Sequence, residues 1–280
     1  MRELFYALGL FIVIVIGNTI IVAQTDMKPP IAKKETKITK IHGYELKDDY
    51  FWLRDKKNPE VIKYLEAENA YTETFTGAQK PFADALYKEM LGRIKQTDLS
   101  VPYKNGDFWY YTKTVEGQQY PTYFRSKKQN GDDEQQLLDQ NEMAKGLKYF
   151  AIGSFDVSDD GNLLAFSTDS TGYRQYTLQI KDLRTGKMLA DKVERVTSHE
   201  WANDNQTLFL VTEDDVTKRS DKFYKHTLGS NENQLLGEEK DELFGLGVGR
   251  SRDKKMLFLS SYASTMREWK YLPADQPNGT

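Results

Sequence analysis

The sequence predicts a mainly β protein built from repeated strand units and preceded by a helical segment. One pattern recurs in the C-terminal half, in which an Asp precedes a strand with alternating apolar residues: Ser158-x-Asp160-x3-Leu164-x-Phe166, Ala202-x-Asp204-x3-Leu208-x-Leu210 and Ser251-x-Asp253-x3-Leu257-x-Leu259. The first leucines of the three segments are 44 and 49 residues apart. This spacing is typical of one four-stranded β-propeller blade. The predicted fold is therefore a partial β-propeller of about three blades that follows an N-terminal helical segment.

The N-terminus, residues 1–23, is predicted to be a secretory signal peptide. Arg2 precedes an apolar stretch from Leu4 to Ala23, and the small Ala23 offers a cleavage point. An uncleaved membrane anchor is the alternative, because about 20 apolar residues can span a bilayer. A buried core helix is disfavoured, since no amphipathic pattern marks the stretch. We expect an exported, periplasmic protein, or one anchored in a membrane by this segment.

Composition excludes several kinds of partner and site. The formal net charge is −3, which argues against nucleic acid as a partner. The chain contains no cysteine, so disulfides, thiol nucleophiles and Cys-ligated zinc are excluded. Residues 24–41 are expected to form an extended linker, because Pro29-Pro30 disfavours a helix and the stretch is rich in lysine.

Residues 42–104 are predicted to be the helical segment. Asn58 can cap a helix that begins at Pro59 and continues to about Gly77. A second helix is expected from Pro81 to about Lys95, since its apolar residues fall on one side.

Residues 105–280 are predicted to form the partial propeller. Asp107–Thr112 and Tyr120–Arg125 fit the two strands of a hairpin, and a short helix is expected around Asn141 to Tyr149. The clearest later strands are Leu163–Ser167, Tyr176–Ile180, Thr207–Val211, Met256–Leu259 and Arg267–Leu272, with a turn from Pro273 to Gly279.

No catalytic, cofactor-binding or metal-ligating residue is nominated. The chain has three histidines and no Gly-x-Ser-x-Gly motif. Ser198-His199-Glu200 is not expected to be a catalytic group, because adjacent strand residues face opposite sides. The repeated aspartates at 160, 204 and 253 are expected to bond the backbone of their own turns. Asp156, Asp159 and Asp160 lack the Gly and distal Glu of a calcium-binding loop.

Several motifs resemble the N-terminal region of the prolyl oligopeptidase family, and within it the oligopeptidase B, or protease II, branch. They lie in the same order over roughly residues 36 to 278: Tyr50-Phe51-Trp52-Leu53-Arg54-Asp55, Tyr64-Leu65-Glu66-Ala67-Glu68-Asn69-Ala70-Tyr71, Gly92-Arg93-Ile94-Lys95, Leu137-Leu138-Asp139-Gln140-Asn141, Lys181-Asp182-Leu183-Arg184-Thr185-Gly186 and Trp201-Ala202-Asn203-Asp204.

This resemblance implies a serine peptidase in which a seven-bladed propeller restricts access of short peptides to an α/β-hydrolase domain. The oligopeptidase B branch cleaves after Lys or Arg, and no cofactor is needed. The Ser, Asp and His of that domain would lie beyond residue 280, so none is carried over to this sequence. The implied partners are short peptides and the chain's own hydrolase domain. A non-catalytic binding module is the alternative function. Without the rest of the propeller, this piece is expected to be marginally stable or prone to aggregation.

Overall fold

The structure is a computed structural model and describes residues 28–129 and 131–279. Contacts between residues divide the chain into two units, with the boundary between Ile94 and Lys95. The sequence predicts this boundary further along the chain, between residues 104 and 105. The observed boundary lies earlier, because two short strands that begin before residue 105 pair with the sheet that follows. The predicted signal peptide lies outside the described residues. Among the described residues, no helix is long and apolar enough to cross a membrane.

The first unit contains a hairpin and two helices. Its elements are β1 (Lys37–Ile41), β2 (Tyr44–Asp48), a 3-10 turn (Phe51–Arg54), α1 (Pro59–Gly77) and α2 (Lys80–Gly92). Asn58 caps α1 by accepting a hydrogen bond from the backbone N–H of Glu60 at 2.9 Å, which confirms the predicted start.

Two features of this unit differ from the sequence prediction. Helix α2 ends at Gly92 rather than near Lys95, because glycine disfavours continuation of a helix. The β1–β2 hairpin was not predicted, and part of it lies where an extended linker was expected. Its turn uses positive φ angles at His42 (49°) and Gly43 (82°), the conformation that joins two strands tightly.

The second unit consists mainly of four antiparallel sheets formed by consecutive chain segments. Sheet 1 contains β3 (Asp98–Leu99), β4 (Tyr103–Asn105), β5 (Phe108–Thr114), β6 (Thr122–Ser126) and β7 (Gln135–Asp139). Sheet 2 contains β8 (Ala151–Val157), β9 (Leu163–Asp169), β10 (Thr177–Asp182) and β11 (Met188–Val193). Sheet 3 contains β12 (Val196–Trp201), β13 (Thr207–Glu213), β14 (Ser220–Thr227) and β15 (Gln234–Glu238). Sheet 4 contains β16 (Gly245–Arg250), β17 (Met256–Tyr262) and β18 (Arg267–Pro273).

The predicted strands and the first hairpin agree with these sheets. Strands β5 and β6 pair antiparallel, and each of the five later predicted strands overlaps β9, β10, β13, β17 or β18. The predicted helix near Asn141 is much shorter than expected. Helix α3 covers only Gln140–Met143, and Gly146 adopts a φ of 76° soon after it, which a continuing helix does not allow.

Neighbouring sheets pack face to face through three apolar clusters. The first lies between sheets 1 and 2 and includes Leu137 and Phe166. The second lies between sheets 2 and 3 around Trp201, and the third joins sheet 3 to sheet 4 through Phe209 and Leu257. The repeated leucines Leu164, Leu208 and Leu257 are all buried in these clusters, which explains the sequence repeat.

Candidate functional site

The structure does not bring Ser198, His199 and Glu200 together as a catalytic group. The hydroxyl of Ser198 accepts a hydrogen bond from the backbone N–H of Val248 at 3.1 Å. His199 is 7% exposed, and neither of its ring nitrogens has a hydrogen-bond partner among the described residues. Burial lowers the pKa of His199 to about 4, so its imidazole is neutral near pH 7.

The other two histidines also lack the surroundings of a catalytic base. His226 is buried, with Nε2 3.0 Å from the Asp191 carboxylate and Nδ1 2.8 Å from the Asn233 side-chain oxygen. The contact with Asp191 joins sheet 2 to sheet 3. His42 lies in the exposed β1–β2 turn.

The repeated aspartates have the structural role that the sequence predicts. Each accepts a hydrogen bond from the backbone N–H two residues later: Asp160 from Asn162 at 3.0 Å, Asp204 from Gln206 at 3.0 Å and Asp253 from Lys255 at 3.2 Å. Such bonds stabilise the turn between the first and second strands of a sheet. The three equivalent turns therefore have a common local geometry.

The first strands of sheets 2, 3 and 4 lie next to one another. Each of β8, β12 and β16 is an edge strand of its own sheet, and β12 contacts both of the others. The indole N–H of Trp201 donates to the carbonyl of Asp156 at 3.2 Å, and the Ser198–Val248 bond joins β12 to β16. These three strands form a common edge, which we call the inner edge.

Five charged or titratable residues gather where the inner edge meets the repeated turns. We call them the inner-edge cluster: Asp156, Asp159, Glu200, Arg250 and Lys254. Asp159 accepts from Arg250 Nη2 at 2.6 Å and from Lys254 Nζ at 2.9 Å. Arg250 also donates to the side-chain oxygen of Asn203 in the turn of sheet 3. The cluster thus joins the ends of sheets 2 and 4 across the turn of sheet 3.

The carboxyl groups of the cluster differ in their electrostatic state. Burial raises the pKa of Asp156 to about 6, and Arg250 and Lys254 oppose this shift. Burial also raises the pKa of Glu200 to about 7, with a further contribution from the negative charge of Asp156. Burial alone would raise the pKa of Asp159, but its hydrogen bonds with Arg250 and Lys254 hold that pKa below the ordinary value.

Comparison with known proteins identifies the fold and its family. The family described as the N-terminal β-propeller domain of prolyl oligopeptidase matches residues 29–280. The chain belongs to the prolyl oligopeptidase family. Its four sheets are accordingly propeller blades, and the predicted mainly β, partial-propeller fold is confirmed.

The relatives of this prolyl oligopeptidase-family chain are peptidases. It is 40% identical to dipeptidyl aminopeptidase BI of Pseudoxanthomonas mexicana, over 91% of this chain and 38% of the relative. It is 33% identical to protease 2 of Moraxella lacunata, over 90% of this chain and 38% of the relative. The structure of oligopeptidase B from Leishmania major matches with a TM-score of 0.81 and 29% identity, over 90% of this chain and 38% of that one. The chain therefore spans well under half the length of these relatives.

Sequence reasoning missed the inner-edge cluster of this propeller chain, although the repeat contained a signal. Aligned on the repeated turn, Asp156 and Glu200 occupy equivalent positions in sheets 2 and 3, and Gly249 takes that position in sheet 4. Arg250 then stands where the other two sheets have apolar Val157 and Trp201. A carboxyl at two equivalent positions and a cation beside the third indicate charges that meet at the inner edge of this chain.

The cluster can exchange protons and bind charge, but it has no arrangement for hydrolysis. Within residues 28–129 and 131–279, no three His, Asp or Glu side chains are placed as metal ligands would be. The Asp156 carboxyl interacts with the backbone N–H of Val157, which opposes the rise of its pKa. Two carboxyls with raised pKa values, next to a shared arginine, are suited to respond to pH.

Proposed function

We propose that this chain is the N-terminal, propeller-containing part of an exported serine-type oligopeptidase that hydrolyses short peptides. The family match over residues 29–280 carries this proposal. In the proposed enzyme, the propeller limits which peptides reach a catalytic α/β-hydrolase domain.

Catalysis is assigned to the hydrolase domain, because the described residues contain no Ser–His–Asp arrangement. His199 has no hydrogen-bond partner among them, and His226 contacts Asp191 and Asn233 but no serine. The proposed reaction follows the acyl-enzyme route, in which a serine attacks the peptide carbonyl and a histidine takes its proton. An oxyanion hole stabilises the tetrahedral intermediate.

We propose cleavage after Lys or Arg, and the likeness to oligopeptidase B supports this preference. The 40% identity with a protein named dipeptidyl aminopeptidase BI favours a second candidate, the release of dipeptides from a free amino terminus. The two candidates differ in whether the substrate needs a free amino group.

Hydrolysis by the protein expressed from its complete coding sequence tests both candidates. An N-terminally blocked arginyl amide is compared with an unblocked dipeptidyl amide of the same fluorophore, and a blocked prolyl amide is the control. Fast cleavage of the blocked arginyl substrate supports the first candidate, whereas cleavage of the unblocked substrate alone supports the second. Failure to cleave any of the three, under conditions in which a serine-directed fluorophosphonate also leaves the protein unlabelled, contradicts the peptidase proposal.

Export is also a proposal, and the apolar stretch from Leu4 to Ala23 supports it. Cell fractionation and intact-mass measurement of the native protein test it. A periplasmic protein without its first residues supports a cleaved signal, and an uncleaved protein in the membrane fraction supports an anchor. A full-length protein in the cytoplasmic fraction contradicts export.

A further inference from the structure

The inner-edge cluster connects three consecutive sheets through residues that are far apart in sequence. Asp159 and Arg250 are 91 residues apart, and their side chains meet at 2.6 Å. Lys254 adds a second bond to Asp159 at 2.9 Å. The side chain of Asn205, in the turn of sheet 3, accepts a hydrogen bond from the backbone N–H of Asp160 at 3.1 Å. The ends of sheets 2, 3 and 4 are therefore fastened by polar contacts at one place.

Arg250 bonds residues of sheets 2, 3 and 4, and one of its donors has no acceptor among the described residues. Its side chain is 9% exposed, and Nη2 bonds Asp159, Asn203 and the carbonyl of Lys254. Its Nε is buried and has no hydrogen-bond partner among the described residues. A buried N–H without an acceptor is costly, so an ionised carboxylate nearby would be attracted to this guanidinium.

Two such carboxyls, those of Asp156 and Glu200, belong to the cluster. Asp156 and Glu200 come from β8 and β12, and each experiences the positive charge of Arg250. The other charged or titratable groups that interact with Asp156 come from sheets 1, 2 and 4: Tyr103, Tyr110, Asp159 and Lys254. Burial raises the pKa of both tyrosines above its ordinary value, so both stay neutral between pH 5 and 8.

We propose that the inner-edge cluster is a proton-operated latch between the sheets. When Asp156 and Glu200 are neutral, Asp159 holds Arg250 and Lys254, and the ends of sheets 2, 3 and 4 stay together. When both carboxyls ionise, they repel each other and Asp159 and compete for Arg250, so the inner edge loosens.

The working range of the latch follows from the protonation of its three acids. Asp159 is ionised throughout, because its pKa is held below the ordinary value. Burial raises the pKa of Asp156 to about 6 and that of Glu200 to about 7, so both are largely neutral at pH 5.5 and ionised at pH 8. The ends of sheets 2, 3 and 4 are therefore held together in mild acid, and their contacts weaken in mild base. If the chain filters peptides as proposed above, the spacing of its blades then depends on pH.

Hydrogen–deuterium exchange of the full-length protein tests the latch independently of peptidase activity. The reporter is the peptide that contains β16, because the Val248 amide donates to Ser198 across the sheet 3–sheet 4 boundary. Exchange is measured at pH 5.5 and pH 8 and divided by the intrinsic rate of the unstructured peptide at each pH. We expect protection in the unmodified protein to fall by about threefold or more between the two values.

Three variants decide the result. The double substitution D156N/E200Q removes the titration but keeps shape, so protection should stay high at both pH values. Lys254→Gln removes one bond to Asp159 from a half-exposed position and should lower protection at both. Glu194→Gln, an exposed carboxyl outside the cluster, is the control and should follow the unmodified protein. The proposal is overturned if D156N/E200Q retains the pH dependence of the unmodified protein, or if Lys254→Gln leaves protection unchanged.

Discussion

At the scale of single residues, His199 has a buried polar ring. The ring is buried without a hydrogen-bond partner among the described residues, which costs about 1–3 kcal/mol relative to a satisfied group. Replacement by an apolar residue of similar size should remove this cost. We expect His199→Leu to raise the free energy of unfolding at pH 7.5 by about 1 kcal/mol, measured by urea denaturation of the full-length protein.

The pH dependence of this effect has a definite sign. Burial lowers the pKa of His199 to about 4, so the unfolded chain binds the proton more readily than the folded one. His199 therefore contributes a loss of stability to the unmodified protein as pH falls from about 6.5 towards 4. The gain from His199→Leu should be larger at pH 5 than at pH 7.5. A smaller gain at pH 5, or a loss at both values, would contradict the buried neutral imidazole. His226→Leu, which breaks two hydrogen bonds, should destabilise and is the control.

The aspartate of each repeated turn makes a second prediction at this scale. Asp204 accepts from the backbone N–H groups of Gln206 and Thr207 and from the Thr207 hydroxyl at 2.7–3.0 Å. Asp204→Ala leaves these donors unpaired and should lower stability by about 1–2 kcal/mol. Asp204→Asn keeps one acceptor oxygen and should cost less than half as much. Equal losses for the two variants, by denaturant midpoint, would show that the carboxyl charge matters more than the turn geometry.

These two residues show how far single positions can be predicted from sequence. The role of Asp204 depends on neighbours two and three residues away, so the local pattern was sufficient. The surroundings of His199, Glu200 and Arg250 depend on residues from other sheets. No local pattern specifies such contacts, and only the alignment of the three repeats indicates that Glu200 and Arg250 lie near each other.

At the scale of elements, two glycines of the inner edge have opposite packing. A Cβ at Gly153 in β8 would lie 2.7 Å from Ser167 Oγ and from the Tyr176 ring, whereas a Cβ at Gly249 in β16 would have nothing within 4 Å. Gly153→Ala should therefore destabilise by about 1–3 kcal/mol. Gly249→Ala should stabilise by up to about 1 kcal/mol, because alanine restricts the unfolded chain.

Thermal unfolding of the two alanine variants in parallel tests this contrast. Each variant is the control for the other, since both add one methyl group to a first strand. Destabilisation by Gly249→Ala would mean that the inner edge is packed more tightly than described. A neutral Gly153→Ala would mean that Tyr176 moves away at little cost.

Elements with strong local signals were predictable from sequence, and those without them were not. Helix α1 has an Asn cap, a proline at its first position and a glycine at its end, and its bounds were predicted correctly. Helix α3 was overestimated because its local helical pattern does not reveal the reversal at Gly146. The β1–β2 hairpin was missed because its residues are mostly exposed and polar, so no apolar alternation marks it.

At the scale of the whole molecule, the raised pKa values of Asp156 and Glu200 should govern stability near neutral pH. The unfolded chain ionises these groups near pH 4, and the folded chain ionises them near pH 6 and 7. The contribution of these two carboxyls to stability should therefore fall as pH rises from about 4 to 7 and should remain lower above that range. We expect D156N/E200Q to raise the melting temperature at pH 8 and to leave it nearly unchanged at pH 4.5. An equal effect at both values would contradict the raised pKa values.

Residues 1–280, produced alone, should associate with themselves in solution. Strand β18 pairs only with β17 among the described residues, and Trp269 and Tyr271 are 56% and 70% exposed. A free strand edge beside exposed aromatic rings favours intermolecular pairing. We expect concentration-dependent association in analytical ultracentrifugation, reduced by the double substitution W269K/Y271K. A soluble monomer with a sharp cooperative melt would contradict this expectation.

The contact between Asp159 and Arg250 also has a consequence for synthesis on the ribosome. The pairing partners within each sheet are close in sequence, so one sheet can form soon after its own strands emerge. Arg250, the partner of Asp159, is however translated 91 residues later. Sheets 2 and 3 are both complete before that partner exists, and their shared edge carries an unmatched carboxylate until then. The inner edge is therefore among the last parts of this unit to be completed, although it begins with one of the earlier sheets.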